Sequence, residues 1–292
     1  MTTAVLVHVV VSGLATGSIY ALVAISLVII YNATRTLNFA QGEMLMISTF
    51  VGFTAHQRLR LPLVMVLLVA VVAAAALGWA IERLIIRHAI SATHFDVLIL
   101  TLGVSLVLRA GAGLVWTHDE FPFPALFANR PVTLGPVRVA PVSLGIIGAS
   151  LALMLALYVF FAKTRLGRAM RAVAQNQRAA RLMGISVERV YSASWMLAAV
   201  VGAVAGVLIA PVIFLSSKMG FVAINGFIAA VLGGFGSMPG AVVGGMLLGV
   251  LENLAPLYLP SGIKYSVPFL LLIAILLVRP GGVVGRTVRR KV

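Results

Sequence analysis

Cysteine is absent from the 292-residue chain, and acidic residues are few, with seven Asp and Glu against 22 Lys and Arg. Without cysteine there are no disulfides and no thiolate metal sites. Lysine is scarce too. Lys163, Lys218, Lys264 and Lys291 are the four present, and none follows the glycines of a phosphate-cradling G-x-x-x-x-G-K-[ST] loop. The five histidines show no H-E-x-x-H or other metal-ligand spacing. No catalytic motif, cofactor or metal is therefore expected on this chain. The largest deficit is in charge as a whole: 10% of residues are charged and 61% are hydrophobic, whereas a soluble domain is about a quarter charged. A water-soluble fold of this length would lack the polar surface to cover itself, so lipid is the solvent for much of the chain. In hydrocarbon every backbone group must be satisfied internally, which leaves helices or a closed barrel. The apolar runs are long and continuous rather than alternating, and this excludes a barrel. The expected class is an all-α, polytopic helical membrane protein embedded in a lipid bilayer.

A helical span needs about 20 apolar residues. Spans are expected near residues 5–30, 38–54, 62–86, 96–116, 142–162 and 191–214, with a last one at 265–278. Between them lies a Gly-rich region, 221–256, interrupted by GGFGSMPG (233–240), because clustered Gly and Pro end helices. It is either two short crossings or a re-entrant pair, so about 8–9 spans are expected within a single transmembrane domain covering 1–292. The N-terminal MTTAVLVHVV lacks the basic n-region of a cleaved signal peptide, so the first apolar segment is expected to be retained as a span.

The net charge of +15 suits cytoplasmic loops of a membrane protein, where basic residues gather, rather than a nucleic-acid surface. Placing residues 163–190 inside gives the cytoplasmic side 15 Lys and Arg against 6 outside, with Arg109 left within a span. The expected orientation therefore has the N-terminus outside and the C-terminus in the cytoplasm.

The stretch 164–190, TRLGRAMRAVAQNQRAARLMGISVERV, concentrates six arginines (Arg165, Arg168, Arg171, Arg178, Arg181, Arg189) with one acid, Glu188. Leu166, Met170, Val173, Gln177, Ala180 and Met183 recur at helical steps, with Arg168, Arg171, Gln175 and Arg178 roughly opposite. Gly184 supplies a stop. A short helix or a pair of helices is expected at the cytoplasmic face. Arginines there hold the loop inside. The ordered apolar face, the small pair Ala179–Ala180 and Gly184 point further, to a partner-docking helix.

R-A-A-x-x-x-G (178–184) resembles the E-A-A-x-x-x-G loop of ATP-binding-cassette importer permeases, with Arg at the first position in place of Glu. Six stretches, in order along the chain, resemble the branched-chain amino acid permease family of LivH type. These are G-S-I-Y-A-L-V-A (17–24) with N-F-A-Q-G-E-M (38–44), T-R-L-G-R-A-M-R-A-V (164–173) with L-M-G-I (182–185), V-L-G-G-F-G-S-M-P-G-A-V-V-G-G (231–245), and L-L-V-R-P-G-G (276–282). The resemblance implies a membrane permease subunit of an importer in the bacterial inner membrane. Its partners would be a homologous second permease, two cytoplasmic ATP-binding subunits and a periplasmic substrate-binding protein. The cargo would be branched-chain amino acids or a related small polar solute. Arg168, Arg171, Ala179, Ala180 and Gly184 would receive the push of the ATPases.

Pathway residues are read from the apolar segments. Asn38 and Gln41 have capping-box spacing, with Asn38 as N-cap, and Glu43 falls in the first turn, where a helix dipole favours an acid. Glu43 is either part of this well-capped start near the cytoplasmic interface or a gate residue and partner of Arg35. Arg109, costly inside a span, snorkels outward, pairs with Glu252 or contacts the cargo. In the broken Gly-rich region, Asn225 and Ser237 are candidates, since half-helix ends expose backbone groups able to bind a zwitterion. The glycines there equally suit close helix packing, at G-x-x-x-G spacings such as 202/206, 236/240, 240/244 and 245/249. The rival function is a stand-alone secondary transporter or channel. It calls for intramembrane acids, whereas Glu43, Glu82, Asp96 and Glu252 are expected near span ends.

Overall fold

A computed structural model describes residues 3–89, 94–124, 132–134, 137–260 and 266–284. The helices, in chain order, are α1 (Thr3–Thr34), α2 (Gln41–Leu59), α3 (Leu63–Leu84), α4 (His94–Trp116), α5 (Pro141–Lys163), α6 (Arg165–Gln175), α7 (Gln177–Leu182), α8 (Val187–Ile213), α9 (Val222–Gly233), α10 (Met238–Tyr258) and α11 (Val267–Val278). Six of them, α1, α3, α4, α5, α8 and α10, are long and apolar enough to cross a bilayer, and α9 and α11 are shorter apolar helices. The protein is a multi-pass helical membrane protein. A small antiparallel hairpin, β1 (Val132–Leu134) with β2 (Val137–Val139), lies in the long connection before α5. Val107, Leu114 and Tyr158 are each more than two-thirds exposed. In water such patches would drive association; in hydrocarbon they are the solvated surface.

The chain divides into two compact units: Met1–Val28, Ala125–Ser150 and Ile224–Val292, and then Ile29–Pro124 with Leu151–Ala223. In the second unit α2, α3 and α8 pack through small residues. A side chain on Gly78 of α3 would meet the Trp195 carbonyl of α8 at 2.7 Å, and one on Gly52 of α2 would meet Val66 and Ala70 of α3. Gly202 and Gly206 of α8 face Gln41, Leu45 and Thr49 of α2. Bilayer helices gain little from hydrophobic association, so close approach and dispersion hold them together. One end of the α3–α8 seam is fastened by charge. Glu82 is fully buried and accepts two hydrogen bonds from Arg87, at 3.1 and 3.0 Å, while Ser192 of α8 donates to it.

In the first unit Gly245 and Gly249 of α10 press on Ala21 and Gly17 of α1, backbone to backbone. α9 and α10 form a hairpin closed where Gly233 abuts Gly240 and Gly244 abuts Ala229. The chain after α11 returns to this turn: Val283 and Val284 donate backbone hydrogen bonds to Leu232 and Gly233, at 2.8 and 3.1 Å. The glycine spacings thus serve helix contact, with one correction. Gly236 has φ +94° and belongs to the turn, not to a packing face.

A second correction concerns residue 38. α2 starts at Gln41, and its N-cap is Ala40 without a side-chain cap. Residues 35–40 are non-helical and run deep into the second unit, because their polar groups find partners there. Thr101 of α4 donates to the Leu37 carbonyl and accepts from the Phe39 amide, both at 3.3 Å. The Asn38 side chain accepts from the Ala40 amide at 3.0 Å and donates to Gln41 at 3.2 Å. Irregular backbone survives at this depth only when such partners replace water.

Gly249→Val is expected to destabilise the protein by about 1–3 kcal/mol, since a branched side chain there collides with α1 backbone. Gly148→Ala, where nothing lies within 4 Å, is expected to be neutral or slightly stabilising. Thermal unfolding in detergent checks both.

Candidate pathway and coupling sites

Gln41, at the start of α2, donates at 3.0 Å to the carbonyl of Ala198, eleven residues into α8, or about 16 Å along that helix. α2 therefore begins far from the end of α8. Two residues on, Glu43 is buried, at 2% exposure, and forms an ion pair with Arg109, fifteen residues into α4. This corrects three expectations. Glu43 does sit in the first turn of α2 but deep beside α4 rather than near the cytoplasmic interface, Arg35 is not its partner, and Arg109 pairs with Glu43 rather than with Glu252 or by snorkelling. Arg35 instead donates to the Ala174 carbonyl of α6 and lies over the Tyr31 ring. The reason is geometric: the dip of residues 35–40 carries the first turn of α2 to the depth of Arg109.

A second irregular segment meets the pair. After α8, Phe214 takes φ +61° and Leu215 exchanges backbone hydrogen bonds with Phe121, at 2.8 and 2.9 Å. A 3₁₀ turn, Met219–Phe221, follows. Its Gly220 carbonyl lies so close to Gly42 that a side chain on Gly42 would collide with it, and a Cβ on Gly220 would lie 2.9 Å from the Glu43 carboxylate. Arg109 lies 4.6 Å from the centre of the Phe221 ring, an attraction that strengthens where water is scarce. Phe50 stacks on Trp116 at 5.0 Å, and Phe121 packs edge-on to Phe50. The result is a charged pair set beside the 3₁₀ turn, with the Phe221 ring over its guanidinium.

The first unit holds its own polar group. Asn225 of α9 donates to the Tyr20 hydroxyl of α1 at 2.9 Å, and Tyr20 is hydrogen-bonded to Glu252 of α10. Tyr20 and Glu252 are both buried. Ser237 has a local duty: its hydroxyl accepts from the Gly240 amide at 3.1 Å and caps α10.

The Arg-rich stretch forms two short helices. Thr164 caps α6 by accepting from Gly167 at 3.0 Å, and Asn176 ends α6 while capping α7 through Ala179 at 3.1 Å. Met170, Val173 and Ala180 are buried, and Gln177 donates to the Ala33 carbonyl of α1 at 3.0 Å. Arg168, Arg171, Arg178 and Ala179 are exposed. Ala180 therefore faces inward, against the protein. Met183, placed by periodicity on the buried face, is 82% exposed, and its neighbour Leu182 is 89% exposed. α7 ends at Leu182, so the helical register that would bury Met183 no longer applies. Gly184 has φ +78° with open space around it, and the amides of Gly184 and Ile185 return to Arg181 and Ala180 at 3.0 Å. This turn leaves Leu182 and Met183 outward as an exposed apolar knob in an arginine-rich stretch of sequence.

Sequence reasoning missed the Glu43–Arg109 pair, the Tyr20 link and the knob. The pair had one legible signal: two opposite charges, each inside an apolar run. The knob had none beyond Gly184 itself.

Comparison with known proteins agrees with this architecture. Residues 9–276 match the family described as branched-chain amino acid transport system / permease component. The chain is 36% identical over 96% of its length, and of the relative's, to the high-affinity branched-chain amino acid transport permease LivH of Escherichia coli K12. It is 34% identical to BraD of Pseudomonas aeruginosa, over 97% of this chain and 96% of that one. A nucleoside ABC transporter permease of Lactococcus lactis, NupC, is 31% identical over 58% of this chain and 54% of its own. No solved structure matches.

Removing one partner of the buried pair, as in Glu43→Gln or Arg109→Met, should cost about 3 kcal/mol, the low end for such pairs because Arg109 remains a third exposed. The double variant should recover a large part of that loss. Unfolding midpoints of the four proteins give the coupling.

Proposed function

The chain belongs to the branched-chain amino acid transport permease family, and on that premise we propose that it is the membrane subunit of an ATP-binding-cassette importer for branched-chain amino acids or a related small polar solute. Motor and cargo receptor then lie on other chains: two cytoplasmic ATP-binding subunits, a homologous second permease and a periplasmic substrate-binding protein. The N-terminus lies outside and the α6–α7 side lies in the cytoplasm, as the distribution of Lys and Arg favours. The observation that carries the reading is the knob of Leu182 and Met183, apolar, exposed and followed by the left-handed turn at Gly184. A loop needed only for topology has no use for it.

In this mechanism the ATPases grip the knob and the outer faces of α6 and α7, where Arg168, Arg171 and Ala179 are exposed. Ala180 serves by keeping α7 flush against the protein, and Gly184 by allowing the left-handed turn. Glu43 with Arg109 in the second unit, and Asn225 with Tyr20 and Glu252 in the first, are two separate polar groups that we assign as candidate cargo contacts. Each can exchange its present partner for the carboxylate or ammonium of a passing zwitterion. The similarity to LivH and BraD supports the amino-acid cargo. Glu43 is interior, as a stand-alone transporter would require. The family membership now decides against it.

Met183→Asp should abolish co-purification of the ATP-binding subunits and ATP-driven uptake, while membrane insertion and yield stay near wild type. Gly184→Trp should uncouple ATP hydrolysis from uptake. Retained docking in the first and normal transport in the second would remove the docking assignment.

A further inference from the structure

Beneath α6 and α7 lies a cavity of ≈ 520 Å³ whose lining includes Arg35, Arg178, Arg181, Tyr191 and Asn176. It is basic at the rim and apolar within, where Ile86, Val97 and Val173 form the wall. Arg181 is shared with Glu188 at 3.2 Å, and both are about half exposed, a weak pairing in that setting. Arg35 spends one nitrogen on a neutral carbonyl. Arg178 makes no ion pair among the described residues. Asp96 precedes the lining residue Val97, so Asp96 and Glu188 stand against three guanidinium groups and the balance stays positive. The hydroxyls of Thr34 and Thr36 bond each other at 2.8 Å at the same mouth.

We infer that this cavity is an anion site that seats the phosphate headgroup of an anionic phospholipid between the end of α1 and the coupling helices. The chemistry fits in two ways. Guanidinium groups bind phosphate through paired N–H donors. Basic pockets at the cytoplasmic ends of membrane helices, continued by apolar wall, suit a headgroup with the start of its acyl chains. The site also explains why Arg178, the first residue of the R-A-A-x-x-x-G motif, is basic here. A headgroup held there braces α7 against α1, which Gln177 already touches through Ala33. The proposal draws on the transport reading only for which membrane face the cavity occupies.

The test measures binding alone, so failure of transport leaves it intact. The full chain, purified in detergent, is exposed to phosphatidylglycerol or phosphatidylcholine, and retained lipid is counted by native mass spectrometry. In a parallel arm inorganic phosphate is titrated and the unfolding midpoint followed. Selective retention of phosphatidylglycerol, weakened at least about tenfold in Arg178→Gln/Arg181→Gln but kept in Lys163→Gln/Arg165→Gln, supports the headgroup assignment. The control removes the same charge outside the cavity. Stabilisation by phosphate that the same arginine variant loses, with no preference between the lipids, supports the anion site and assigns it a soluble oxyanion. Equal retention of both lipids without a phosphate effect overturns the proposal, as does undiminished phosphatidylglycerol binding in the arginine variant. If that variant fails to fold, Arg178→Gln alone, at an exposed position, gives the same comparison.

Discussion

The Glu43–Arg109 ion pair is the interaction around which the second unit of this permease is arranged. The irregular residues 35–40 lead into the turn that carries Glu43, the 3₁₀ turn Met219–Phe221 covers Arg109 through Phe221, and Gly42 and Gly220 meet beside the pair. Lipid offers no hydrogen bonds, so a chain that leaves the helix inside a membrane must bring every partner with it. Asn38, Thr101 and the bridge between Phe121 and Leu215 are those partners. An acid and an arginine at this depth are tolerable because each neutralises the other and Phe221 covers the guanidinium.

That arrangement places the charged pair close, along the chain, to the coupling helices. Gln177 and the Ala174 carbonyl hold Ala33 and Arg35. From Arg35 the backbone runs through Asn38 to Gln41, which is anchored on α8, and then to Glu43. A displacement of α6 and α7 would act on the short irregular segment 35–40, which leads directly to Glu43. This is spatial continuity, and transmission along it is our inference. The fully buried Glu82, fastened to Arg87 and Ser192, ties α3 to α8.

Composition carried most of the fold. The helical class, the positions of the long apolar helices and the break at 233–240 follow from apolar run length and from Gly and Pro, because lipid permits so few alternatives. The amphipathic pair at 164–184 was equally legible, since Met170 and Val173 keep helical period to the point where Gly184 stops it. What stayed hidden depended on tertiary depth. Asn38 and Gln41 read as a helix cap, yet their side chains serve a buried irregular segment. Glu43 read as an interfacial acid because nothing in the local sequence shows that residues 35–40 dip inward. Met183 kept its period on paper after the helix had ended. Ser237 needed no tertiary context for its cap, and Asn225 gave no hint of Tyr20, 205 residues away.

The account rests on the Leu182–Met183 knob facing the compartment that holds the ATPases. The chain contains no cysteine, so a single Met183→Cys substitution at this exposed position gives an unambiguous label. A membrane-impermeant maleimide should modify it in inside-out vesicles and leave it untouched in intact cells, and added ATP-binding subunits should protect it. Labelling from the outside of intact cells would contradict the orientation, the docking site and the proposed mechanism together.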